Sequence, residues 1–271
     1  MPSHRKFIRT LSLPLTLLII LISLMGLSNP NVYSRETPNW YAQAVAQDGF
    51  DLFTLTPVLI ITAYLADRNR TAFLVWGGTL LYCIYTFVIY CFAVHFNMLF
   101  PLYCFALGLS VFAFVYFLGR VIAQPLIAQV RNNYALKSAA FFLIAISVFF
   151  YIAWLSVIIP AAIRNAPPDV LAETGLPANP VHALDLSVYL PGLFIVGILA
   201  LREKPLGLTF IPVALTFSVL MNLTIGTITV VMRMNDIPTS LFLPVAMLVL
   251  AFVSTWLLVW YLKSIGTGKN E

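Results

Sequence analysis

Residues 185–204 read DLSVYLPGLFIVGILALREK. An aspartate opens the stretch, a proline stands six residues later, and an apolar run ends at Arg202 and Lys204. The run has the length needed to cross about 30 Å of hydrocarbon, which takes about 17–25 residues of helix. The whole chain is built this way. Hydrophobic residues make up 61% of its 271 positions and charged residues 9%, against about 25% charged in a soluble domain. That leaves too little polar surface to cover a water-soluble globule. Eight apolar windows are legible, at roughly 10–28, 51–67, 72–94, 98–119, 138–160, 185–201, 206–232 and 240–262. Their length fits helices; barrel strands would be about ten residues long and would alternate. The expected fold class is all-α transmembrane, an eight-helix bundle.

The charges between the windows set the expected orientation, because Lys and Arg stay on the cytoplasmic side of short loops. With the N-terminus inside, the inner segments hold twelve basic residues: Arg5, Lys6, Arg9, Arg68, Arg70, Arg120, Arg131, Lys137, Arg202, Lys204, Lys263 and Lys269. The outer segments hold three, Arg35, Arg164 and Arg233. Acids lean the other way, with Glu36, Asp48, Asp51, Asp169, Glu173, Asp185 and Asp236 outside or at the outer boundary. Both termini are therefore expected inside. The net charge of +5 follows from topology, and its dispersal over five inner segments is no sign of nucleic-acid binding. The segment 120–137, RVIAQPLIAQVRNNYALK, mixes apolar and basic residues and is expected to lie partly along the inner surface.

The start HRKFIR followed by LSLPLTLLIILISLMGL is similar to a signal peptide, but its apolar run exceeds the usual length of about 7–15 and no small-x-small site follows closely. It is expected to stay as the first span. Cys83, Cys91 and Cys104 show no metal or redox spacing and are expected to pack as small apolar residues.

The opening stretch has a second copy. Residues 51–70, DLFTLTPVLIITAYLADRNR, align with it at an offset of 134. Asp51 meets Asp185, Pro57 meets Pro191, Arg68 meets Arg202 and Arg70 meets Lys204. In both halves this helix is the second of four, preceded by an outer loop of over twenty residues. The expectation is a four-plus-four parallel repeat, residues 1–135 and 136–271, related by an axis along the membrane normal. Each aspartate is expected in the first turn of its helix, accepting free backbone N–H groups and favouring the positive dipole end. Pro57 and Pro191 would kink the helices, and Arg68 and Arg202 would anchor the inner interface. The alternative is that the two carboxylates face a shared outer cavity and bind something.

His182 lies three residues before Asp185, and His95 ends the third window. With Asp51, they put two histidines and two carboxylates on the outer side, an inventory able to hold a divalent metal but without metal-site spacing. Asn97 is expected to cap the fourth helix, and Asn222 to hydrogen-bond a neighbouring helix. The aromatic residues of the third window, Tyr82, Tyr85, Phe87, Tyr90 and Phe92, are read as packing or as interfacial belt. No ionisable residue stands deep in any window as drawn, which argues against coupling to a buried carboxylate.

At GFDLFTLTP, YTFVIYCFAVHFNMLFPLY and LDLSVYLPGLFIVGILALREKPLG, the chain resembles a group of bacterial multi-pass membrane proteins without assigned activity. Asp51, Pro57, Tyr85, Asn97, Tyr103, Asp185, Pro191, Arg202, Pro205 and Gly207 stand where its motifs fall. That group looks to carry a Gly-Gln-Asp triplet where this chain has Gly49-Phe50-Asp51. The resemblance implies a bacterial cytoplasmic membrane and no mechanism. Three functions follow as expectations. The first is binding or transport of a small solute or lipid-like molecule at an outer site of Asp51, Asp185, His182 and His95. The second is a membrane-embedded enzyme with a metal at His95, His182 and Asp185. The third is a partner subunit of a membrane assembly with no ligand of its own. No catalytic residue and no cofactor is assigned; the lipid bilayer is the expected partner.

Overall fold

The computed structural model describes residues 4–124 and 132–265. Arg131, Lys269 and the middle of the 120–137 segment lie outside that range, and so do the expectations placed on them. The described chain is helical throughout its spans: α1 (His4–Ser28), α2 (Pro38–Ala66), α3 (Arg70–Ala93), α4 (Phe100–Ala123), α5 (Asn133–Ile163), the short α6 (Asp169–Thr174), α7 (Pro180–Leu201), α8 (Pro205–Met234) and α9 (Phe242–Ser264). All but α6 are long and apolar enough to cross a bilayer. The outside of the bundle is covered by apolar side chains such as Phe53, Phe112, Phe149 and Phe252, as a lipid solvent allows and water does not. The chain is a multi-pass membrane protein.

Several helix ends differ from the sequence reading, and two of the starts, those of α2 and α7, bear on the aspartates. α2 begins at Pro38, capped by the Thr37 hydroxyl accepting from Trp40 N–H at 3.3 Å. α7 begins at Pro180, capped by the Asn179 side chain accepting from Val181 and His182 N–H at 2.9 and 3.3 Å. Each start pairs a polar cap with proline at the first helical position, where a missing N–H costs nothing. Asp51 and Asp185 are therefore not caps. They lie inside the helices, and both are buried.

At each aspartate the helix widens. Asp51–Leu55 and Asp185–Tyr189 form single π turns inside otherwise α-helical spans. The Asp51 carbonyl accepts from Thr56 N–H, and the Asp185 carbonyl from Leu190 N–H, each five residues on. The cause follows one residue later, at Pro57 and Pro191. Proline offers no N–H and its ring crowds the carbonyl four residues back, so the preceding turn opens instead of closing. Side chains meet the loosened carbonyls: Thr56 Oγ1 donates to Asp51 O at 2.8 Å, Ser147 Oγ to Leu190 O at 2.6 Å and Tyr151 Oη to Leu186 O at 3.4 Å. Neighbouring hydroxyls satisfy backbone that hydrocarbon would leave bare. The prolines thus set a wide turn where a simple kink was expected.

Helix neighbours follow one pattern in each half. α1 packs on α2, α2 on α3, α3 on α4 and α4 on α1; α5 packs on α7, α7 on α8, α8 on α9 and α9 on α5. α3 meets α8 at the centre, while α8 touches the first part of α2 and α3 touches the first part of α7. These two helices are the inner ones: 67% and 72% of their apolar windows are buried, against 11–44% for the rest. Two large apolar cores result. One joins α1–α4 with Val213, Phe217 and Leu220 of α8; the other joins α5, α7, α8 and α9.

The central crossing depends on Gly78. A Cβ there would stand 2.6 Å from the Val213 carbonyl oxygen and 2.6 Å from Thr216 Cβ, so α3 and α8 approach this closely only without a side chain. Gly108 has open space around it. Gly78→Ala should lower the thermal midpoint of the purified protein, with overpacking costing about 1–3 kcal/mol. Gly108→Ala should leave it unchanged or raise it.

Candidate functional site

The bundle has two ends. One, the basic end, carries the turns at 67–69 and 202–204 and both termini of the described chain. The other, the loop end, carries 29–37, 94–99, the 164–179 segment with α6, and 235–241. The aspartates of α2 and α7 lie between them, toward the loop end. Asp48 and Asp51 stand about 15 and 20 Å along α2 from Pro38, at 1.5 Å per residue.

Asp48 is 0% exposed. Its carboxylate accepts from Tyr33 Oη at 2.7 Å and from Tyr90 Oη at 2.8 Å. It presses against α1 at Gly26, where an added Cβ would lie 1.8 Å from Asp48 Oδ2. Tyr33 belongs to the 29–37 loop; burial first, then the neighbouring Asp48, pushes its hydroxyl well above the usual tyrosine range, so it stays a neutral donor. The expectation that no ionisable group stands deep in a span is therefore overturned. It failed because residues 38–50 were read as loop.

One turn on, Asp51 Oδ1 accepts from Gln47 Nε2 at 2.8 Å. The same amide nitrogen donates to Tyr82 Oη at 3.0 Å. Thr224 gives its hydroxyl hydrogen to Leu220 O at 2.8 Å, so in the Tyr82–Thr224 contact Tyr82 is the donor. A line of hydrogen bonds thus runs from Asp51 on α2, through α3, to α8.

Asp185 is held by other helices. Trp154 Nε1 of α5 donates to Oδ2 at 2.8 Å and Tyr85 Oη of α3 to Oδ1 at 2.9 Å. A cavity of about 50 Å³ opens beside it, lined by Tyr85, Phe150, Trp154, Tyr189 and Asn222 among others. Tyr189 is turned away in hydrogen bonding, since Ser218 donates to Ala214 O at 2.9 Å and accepts from Tyr189 Oη at 3.0 Å. Asn222 was expected to bond a neighbouring helix. It is 5% exposed, and its amide nitrogen has no partner among the described residues. A buried amide in that state costs about 1–3 kcal/mol unless something supplies an acceptor.

Of the four residues expected to bind, Asp185 alone lines this cavity. Asp51 belongs to the Gln47–Tyr82 line. His182 packs against Trp154, ring centroids 4.6 Å apart and planes tilted by 45°. His95 is taken by Glu36, which accepts from its backbone N–H at 2.7 Å and lies 2.8 Å from Nδ1; this pair ties the 29–37 loop to the 94–99 turn. Among the described residues, no three His, Cys, Asp or Glu side chains gather as metal ligands. Asn97 accepts from Leu99 N–H at 2.9 Å in the turn leading to α4, whose first residue is Phe100. Arg68 lies beside Asp67 at 3.8 Å, and the same carboxylate takes Arg9 at 3.2 Å.

Sequence reasoning missed Asp48, Gln47, Tyr33, Tyr90 and Trp154. The i, i+4 pair of Gln47 and Asp51 was a usable signal once 38–50 is recognised as helix, and Thr37-Pro38 was the signal for that. Trp154 carried none. No family model, curated protein or solved structure matches this chain.

Asp48→Leu should leave two buried tyrosine hydroxyls without an acceptor and destabilise the protein by about 1–3 kcal/mol for each. Asp48→Asn, which keeps an oxygen in place, should cost clearly less. Thermal melts of the two variants in detergent measure the difference.

Proposed function

We propose that this protein binds a small solute or lipid-like molecule inside the membrane, the step that receptors and transporters share, at the Asp185 cavity. The observation that carries the reading is Asn222: a buried amide without a partner, in a cavity that also holds a buried carboxylate. Polar groups are placed in such surroundings at a cost, and inside membranes they mark ligand and ion sites. Four helices, α3, α5, α7 and α8, converge there, so a change in occupancy bears on how the halves pack.

The reading includes a two-fold arrangement, with residues 1–135 and 136–271 as like-oriented repeats. Its supports are the π turns at Asp51 and Asp185, at the same offset of 134 that aligns the sequences, and the matching neighbour pattern of the two sets of four spans. The axis would pass between α3 and α8, the one pair of equivalent helices in mutual contact at the centre. In this arrangement Asp51 is the closed counterpart of Asp185: Gln47 fills the place that the cavity leaves open. The basic end faces the cytoplasm by the distribution of Lys and Arg, which puts the cavity nearer the outer side. A bacterial cytoplasmic membrane is the location that the sequence resemblance implies.

The test is native mass spectrometry of protein purified from its own membranes. A bound small molecule should appear on the wild type and be lost from Asn222→Leu, while both stay folded by circular dichroism. Bare protein in both spectra contradicts the reading.

A further inference from the structure

We infer that the Asp185–Asn222 cavity takes a primary ammonium carrying an oxygen two or three atoms away, the chemistry of a 2-aminoethoxy group. The inference rests on the reading of this cavity as a ligand site and names what fills it.

The charge comes from Asp185. Its two described partners, Trp154 N–H and Tyr85 O–H, are neutral, and no Lys or Arg lines the cavity. A carboxylate in hydrocarbon is ordinarily met by a cation. The walls fit one: Tyr85, Phe150, Trp154 and Tyr189 present aromatic rings, and ring faces attract ammonium groups, more strongly when both are desolvated. His182, also on α7, does not line the cavity, and its ring lies against Trp154. Tyr85, from α3, and Tyr189 are the remaining titratable groups of the lining.

The oxygen comes from Asn222. Its unpartnered amide nitrogen is a donor, so the occupant needs an acceptor as well as a charge. A plain alkylammonium satisfies Asp185 and leaves Asn222 bare; an alcohol does the reverse. Size sets the separation. At about 10–15 Å³ per water-sized centre, the cavity of about 50 Å³ holds about four small heavy groups. The ammonium and the oxygen are therefore neighbours along one short chain, and a trimethylated nitrogen is too large. Two sources present this group: free 2-aminoethanol, and the headgroup of phosphatidylethanolamine entering from the bilayer.

The test uses the full-length protein in nanodiscs of phosphatidylcholine, with Trp fluorescence or calorimetry as the readout. Ethanolamine should bind at least tenfold more tightly than ethylamine and than 1-propanol, and choline should not compete. Asn222→Leu should abolish the preference for ethanolamine over ethylamine. That variant removes a group with no internal partner, so it should fold. Asp185→Asn, checked by its melt, should lose both amines. In phosphatidylethanolamine nanodiscs, loss of ethanolamine binding together with a raised midpoint assigns the site to the lipid headgroup; unchanged binding assigns it to the free amine. The inference is overturned if ethanolamine binds in neither disc and the lipid exchange moves nothing. It is also overturned if ethylamine or propanol binds as well as ethanolamine, or if Asn222→Leu keeps the preference. A native-mass adduct of another chemistry would overturn it while sparing the broader reading of the cavity.

Discussion

A carboxylate inside hydrocarbon must be met by donors, and that constraint organises this bundle. Leaving one charged at the centre of a span costs at least about 2.5–3.5 kcal/mol. The chain buries three carboxylates in two helices; Asp48 and Asp185 draw their donors from other parts of the fold, and Asp51 draws its donor from its own helix. Asp48 takes Tyr33 from the first loop and Tyr90 from α3; Asp51 takes Gln47, itself tied to Tyr82 of α3; Asp185 takes Tyr85 of α3 and Trp154 of α5. α3 serves all three. It can do so only from the middle of the bundle, which accounts for its burial and for the glycine at its crossing with α8.

Proline gives two of the acids their setting. By withholding an N–H one residue after a turn, Pro57 and Pro191 open that turn and present the aspartate at its head. The two turns then diverge. Around Asp51 a glutamine side chain meets the carboxylate and passes the hydrogen bonding on to α8. Around Asp185 a cavity remains, and the asparagine facing it is unsatisfied.

Much of the fold was legible in the sequence, because hydrocarbon imposes a long apolar period that few other structures share. The eight spans could be read there, and so could the likeness of the two stretches that carry Asp51 with Pro57 and Asp185 with Pro191. The ends of α2 and α7 could not be read by hydropathy. Residues 38–50, PNWYAQAVAQDGF, are alanine-rich and polar enough to look like loop, yet alternate positions from Trp40 to Phe50 are buried in the folded protein. Their polarity is internal: Gln47 and Asp48 point at tyrosines that hydropathy counts only as aromatic. The first-turn role given to the aspartates followed from that misplaced boundary. Trp154 and Asn222 were beyond reach for a different reason. Their roles exist only where α5 and α8 meet α7, and pairings between distant helices leave no local trace.

The central claim is that the aspartates belong to the hydrocarbon and not to the interface. Phe53 and Val188, two and three residues beyond them, are 76% and 63% exposed on the outside of the bundle and can carry spin labels without disturbing the acids. Power-saturation measurements in lipid bilayers report depth at each label from its access to oxygen and to a water-soluble nickel chelate. The account predicts high oxygen and low nickel access at both positions. Nickel access at either one matching that of a label at the exposed loop residue Ser34 would place that wide turn among the headgroups and contradict it.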